Sequence, residues 1–284
     1  MLGLGALPWP WGEEILAGCF VARTLVRPTR LRQALGWAAA QAPSDRRRIR
    51  WRLARRLCAN HGRFVSRSGL VGIRDPEVLR AHTVVHGGHH LAEGRGLILL
   101  GFHLGPLGAY LALRAAGHRV AWLGGTGGVG LWSERIRRRY MSPVDDLVFS
   151  TSGDARVRTR LLHRARQLVR AGDAVFVTAD GLGKEVFTVG VPGGGIAVRA
   201  GWLALRRATG APVLPVLSHL DGRTQVVTVH PALPPLDADP EADLERCRRA
   251  LGELLGQYVR KFPDQCYSIP FPIAPEDRTP IAPR

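Results

Sequence analysis

The sequence predicts an α/β fold in one domain, with N-terminal helices packed on a mixed, mostly parallel sheet that further helices flank. Three observations predict it. From residue 83 onward, short apolar runs of strand length alternate with longer runs of helical spacing, the pattern of a sheet covered by helices. Before residue 70 the spacing is helical only. The chain has 284 residues, 45% of them apolar, which suffices for one large core. No repeat of solenoid length and no linker divides it.

The helical region breaks around Gln41-Ala42-Pro43-Ser44, with Ser44 as the expected N-cap of the next helix. That helix, RRRIRWRLARRLCANHGRFV, sets Ile49, Leu53, Leu57 and Phe64 at near-helical spacing among arginines. A basic amphipathic helix of this kind suits an anionic membrane or acidic-partner surface, and it equally suits a solvated face on a core helix. Strands are expected at residues 83–86, 96–102, 119–123, 147–150, 174–178, 213–217 and 225–229. Helices are expected at 107–116, 131–140, 155–171, 197–209 and 242–261. Residues 1–30 form an apolar N-terminal segment, 31–270 the main domain and 271–284 a loosely held tail.

Forty Lys and Arg against 23 Asp and Glu leave a net charge of +17, so the partner surface is expected to be anionic. Nucleic acid is disfavoured, because aromatic residues make up only 7% of the chain and no recognisable binding module is present. Cys19, Cys58, Cys247 and Cys266 lie far apart, which argues against a zinc ribbon or a disulfide scaffold. No segment reaches the roughly 20 consecutive apolar residues that span a bilayer. Trp9 and Trp11, beside prolines, suit an interfacial anchor and equally suit packing on the domain.

The most informative stretch is GLILLGFHLGPLGAYLALRAAGHRV, where a buried strand runs directly into His103. The C-terminal ends of strands are where α/β sheets hold their ligands. An imidazole there suits a general base that deprotonates an alcohol or amine. Gly105 and Gly108 keep the next turn open, and the Gly105 amide is expected among the donors to an oxyanion. Asp180 ends the apolar run AVFVTAD, and Lys184, Glu185 and Arg199 follow in a Gly-rich stretch. Lys184 and Arg199 suit phosphate or a phosphopantetheine arm. The GGTGGVG stretch formally matches a dinucleotide fingerprint, but its strand is not the first of the sheet and the helix after it is too basic for a crossover. His82, His86, His89 and His90 cluster without an acid or Cys to complete a metal site.

The region VVHGGHHLAEGRGLILLGFHLGPLGAYLALRAAGHRV resembles the signature of bacterial lauroyl/myristoyl lipid A acyltransferases and phosphatidylinositol-mannoside acyltransferases, within the lysophospholipid acyltransferase superfamily. Gly94, Gly96 and His103 match its "Gly-x-Gly", strand and His. The stretch GDAVFVTADGLGKEVFTVGVPGGGIAVRAGWLALRRATGAPVLPV is similar to the later family block, and KFPDQCYSI to its closing "P-x-Q-W-Y" segment. The resemblance implies a glycerolipid acyltransferase-like fold with acyl transfer from acyl-CoA or acyl carrier protein to a lipid or glycolipid acceptor. It also implies His103 as base, no further cofactor, and residence on the cytoplasmic face of the cell membrane as a peripheral or monotopic protein. The family's carboxylate, five positions after the His, falls on Gly108. Asp180 and Glu185 are the nearest replacements by topology. The other readings of Gly108 are an unassisted His103, and a degenerate member that binds lipid or carrier protein without turnover.

Overall fold

The computed structural model describes residues 9–42, 47–67, 76–91, 94–106, 108–125, 147–149, 155–180 and 186–271. The Ser44 cap, the helix expected at 131–140, most of the dinucleotide-like stretch, Lys184 and Glu185 lie outside these residues.

Three helices open the chain: α1 (Trp9–Leu25), α2 (Pro28–Gln41) and α3 (Arg47–Ser66). On α3, Ala54, Leu57, Cys58 and Phe64 are buried at helical spacing while most of its arginines face outward. Ile49, expected on the buried stripe, is 42% exposed instead. Helix α1 crosses α3 closely at Gly62, where a Cβ would sit 2.5 Å from the Leu16 carbonyl oxygen. The buried pair of Glu13 and Arg67, 2.6 Å apart, ties α1 to the end of α3.

After a short helix α4 (Pro76–Ala81), seven strands of the described chain build one sheet. They are β1 (Thr83–His86), β2 (Leu97–Gly101), β3 (Val120–Gly125), β4 (Leu147–Phe149), β5 (Ala174–Thr178), β8 (Val213–Asp221) and β9 (Thr224–Val229), in the order β1-β9-β8-β2-β5-β3-β4. Within it only β8 and β9 pair antiparallel. Helices α5 (Ala109–Ala115), α6 (Ala155–Arg170), α7 (Gly201–Thr209) and α8 (Pro240–Lys261) complete the α/β arrangement.

Strand β2 is buried at every position, as expected of a central strand covered on both faces. Its side chains alternate between two cores. Ile98 and Leu100 join residues of α2, α3, α6, α7 and α8, whereas Leu97 and Leu99 join α4 and α5. Each such buried leucine contributes about 1.5–3 kcal/mol relative to exposure.

One element departs from expectation. Residues 197–199, expected to start a helix, belong to a separate hairpin of β6 (Val186–Val191) and β7 (Gly194–Arg199). The helix starts only at Gly201. The alternating pattern of VFTVGV and GGIAVR favours paired strands, and Pro192-Gly193 supplies the two-residue turn between them.

Candidate active site

Strands β2 and β5 run parallel and side by side, with Gly101 opposite Thr178. Two residues beyond that pair come His103 and Asp180, so the register itself brings them together. The ladder is extended by the Ala179 N–H, which donates to the Gly101 carbonyl at 2.8 Å. The β6–β7 hairpin then fixes the end of β5 from its other side: Asp180 bridges to Val198, and the Arg199 N–H donates to the Ala179 carbonyl at 2.7 Å.

Asp180 is 5% exposed and accepts the His103 main-chain N–H at 2.9 Å on both carboxylate oxygens. Its Oδ1 also lies 2.9 Å from His103 Nδ1. With Asp180 ionised, only a proton on Nδ1 makes this a hydrogen bond, which leaves the lone pair of Nε2 for chemistry. The His103 side chain keeps 31% of its surface accessible, so a substrate can reach the ring. Burial pushes the imidazole pKa down, and the charge and hydrogen bond of Asp180 push it up. Arg199 lowers it again, but the carboxylate prevails and the ring titrates above its ordinary value.

The sequence-predicted residues therefore divide. His103 and Asp180 are in direct contact, and Arg199 lies within electrostatic range of the ring. Gly105 has a different part from the one expected. Its N–H donates to the Gln265 carbonyl at 3.0 Å, so that amide is engaged and does not serve an oxyanion. Glycine is required there by packing: φ is +69°, and a Cβ would lie 1.8 Å from the Ser218 carbonyl oxygen. Gly108, where the resemblance expects a carboxylate, is the left-handed N-cap of α5, and its carbonyl accepts from the Leu111 N–H at 2.8 Å. The carboxylate beside the ring is instead that of Asp180, just past the end of β5.

His61 was not singled out by the sequence. On α3, it stacks on Tyr267 at 3.6 Å between centroids and meets Phe20 edge-on at 4.8 Å. Burial, followed by Arg30, Arg23 and His103, lowers its pKa to about 3, so the ring is neutral at working pH. Nothing local in the sequence marks it, because its environment is assembled from α1, α2 and the segment after α8. Among the described residues no group of three His, Cys, Asp or Glu is placed to hold a metal ion.

Neither a protein-family model nor a curated protein matches the chain. Among solved structures, the 1-acyl-sn-glycerophosphate (LPA) acyltransferase PlsC from Thermotoga maritima is similar over 87% of this chain and 96% of its own. The two share 16% identity, with a TM-score of 0.43.

Proposed function

We propose that the chain is an acyltransferase of the lysophospholipid type, moving a fatty acyl group from acyl-CoA or acyl carrier protein to a hydroxyl or amine of a lipid or glycolipid acceptor. The observation that carries this reading is the hydrogen bond between His103 Nδ1 and the buried Asp180 carboxylate, with the opposite ring nitrogen left to meet substrate. In the proposed step, Nε2 takes the proton of the acceptor hydroxyl as its oxygen attacks the thioester carbonyl carbon. The carbon–sulfur bond then breaks, and the leaving thiolate takes the proton back from the imidazolium. Asp180 orients the ring and stabilises its transient charge, as the acid does in a hydrolase triad. Arg199, together with Lys184, suits the phosphates of the donor. Glu185 has no part in this reading, since Asp180 supplies the carboxylate. Against the non-catalytic alternative that Gly108 suggests, this reading draws support from the Asp180 carboxylate at the ring.

An anionic membrane surface is the proposed platform. Trp11, Ile15, Leu25, Val26, Ile49 and Trp51 expose apolar surface on α1 to α3, where arginines crowd the same layer. No helix among the described residues is long and apolar enough to cross a membrane. Residence on the cytoplasmic face as a peripheral or monotopic protein is proposed from the sequence resemblance.

The test is acceptor-dependent thiol release from acyl-CoA and from acyl carrier protein, across lysophospholipid and glycolipid acceptors, with liposomes of anionic and neutral lipid. Release that requires an acceptor supports the reading. Failure of every acceptor and donor pair would overturn it, and failure to float with anionic liposomes would overturn the membrane part.

A further inference from the structure

We infer that Ser268 and Gln265, in the segment that follows α8, are positioning residues that hold the His103 loop in register with Asp180. The inference builds on the acyl-transfer reading for its kinetic consequence only. Residues 103–106 leave the sheet after β2, and their buried polar groups need partners outside a ladder. The His103 N–H goes to Asp180. The His103 carbonyl accepts the Ser268 hydroxyl at 2.9 Å. The Gly105 N–H donates to the Gln265 carbonyl at 3.0 Å. The Pro106 carbonyl accepts the Ser218 hydroxyl at 2.8 Å. Two of these anchors thus come from one nine-residue stretch, 263–271, far along the chain.

That stretch is itself held from two sides. Toward the sheet, the buried Gln265 amide pairs with β8 as a strand would, accepting the Leu220 N–H at 2.8 Å and donating to the Leu220 carbonyl at 2.9 Å. Toward the helices, Trp37 Nε1 donates to the Pro263 carbonyl at 2.9 Å and Asn60 Nδ2 to the Asp264 carbonyl at 3.0 Å. Tyr267, next to Ser268, accepts from Arg30 at 3.0 Å. Ser268 therefore presents its hydroxyl from a fixed support. His103 is gripped on its N–H by Asp180 and on its carbonyl by Ser268, which leaves its main chain little freedom to turn the ring away from the carboxylate.

Ser268→Ala removes one grip without touching ring or carboxylate, while Ser268→Thr keeps the hydroxyl. We expect Ser268→Ala to lower kcat about tenfold to a hundredfold, the scale of a small misplacement of a catalytic group. KM should stay within about twofold, because binding energy outside the reacting centre is unchanged. In full-length protein with 15N-labelled imidazoles, the His103 titration should fall toward that of a free histidine, and Ser268→Thr should restore both readouts. A His103 titration in Ser268→Ala identical to wild type overturns the positioning role. A shifted titration in protein that turns over no acyl thioester upholds the positioning role and sinks the acyl-transfer reading. If Ser268→Ala does not fold, Ser268→Cys, with a weaker donor of similar shape, carries the same comparison.

Discussion

Asp180 holds His103 at two points, taking its main-chain N–H on both oxygens and its ring Nδ1 on Oδ1, all at 2.9 Å. One buried carboxylate thus fixes both where the residue sits and which tautomer it adopts. The arrangement follows from the parallel register of β2 and β5, since each side chain lies two residues past an observed Cα pair.

Replacing Asp180 separates the two functions of that carboxylate. Asp180→Asn keeps an acceptor for the main-chain N–H but no longer demands a proton on Nδ1. Its kcat should fall by about 10⁴, the scale seen when a triad acid is made an amide. Asp180→Ala also leaves the His103 N–H unpaired, which costs about 1–3 kcal/mol of stability. Stopped assays with denaturant melts on both variants check this, and an Asn variant of normal kcat refutes it.

Activity and His103's share of stability should move in opposite directions with pH. Burial lowers the ring's pKa, but Asp180 raises it more, so the folded value lies above the unfolded one of about 6.5. The ion pair's contribution is therefore fully present below about pH 6.5 and lost as pH rises through the raised folded value. In the proposed role of base His103 works only when neutral, so kcat/KM should rise through that same value. In Asp180→Asn the inflection should move to lower pH, which a pH–rate profile reads directly.

His61 adds acid sensitivity. Its pKa is near 3 when folded, set first by burial and then by Arg30, Arg23 and His103. Unfolded chains protonate this ring below about pH 6.5 while the native state does not. Stability should therefore decline as pH falls from 6.5 toward 3, by up to about 1.4 kcal/mol per pH unit from this group. His61→Phe, which keeps the stacking on Tyr267, should show a shallower decline in urea melts between pH 6.5 and 4.5. Equal slopes would exclude this effect.

The glycines after His103 should respond unequally. Gly105→Ala places a Cβ against the Ser218 carbonyl in a backbone of positive φ, and should lose about 3 kcal/mol or more. Gly108→Asp has space for its Cβ, which would meet Leu111 Cδ1 at 3.4 Å, and carries left-handed strain of about 1–2 kcal/mol. It should not restore activity to Asp180→Ala. Thermal melts and rates on the double variant test both statements.

The sequence carries the two members of the pair and not their adjacency. Five buried residues running into His103, and AVFVTAD ending in Asp180, are readable as strand ends. That β5 is the neighbour of β2 depends on strand order, which is a tertiary property, so nothing local in the sequence sets Asp180 beside His103. The β6–β7 hairpin was hidden by its glycines, although its alternation and the Pro192-Gly193 turn marked it. The Gly105 amide looked open because its acceptor, Gln265, is far away in sequence. Ser268 and His61 have no local signature for the same reason.

The most direct test of the central claim is the rate of acyl transfer from an acyl thioester by His103→Ala against the wild-type chain, with matched circular dichroism. If His103 is the base that Asp180 aims, the variant should lose about 10³-fold or more in kcat while remaining folded. Equal rates in the two proteins would contradict the account.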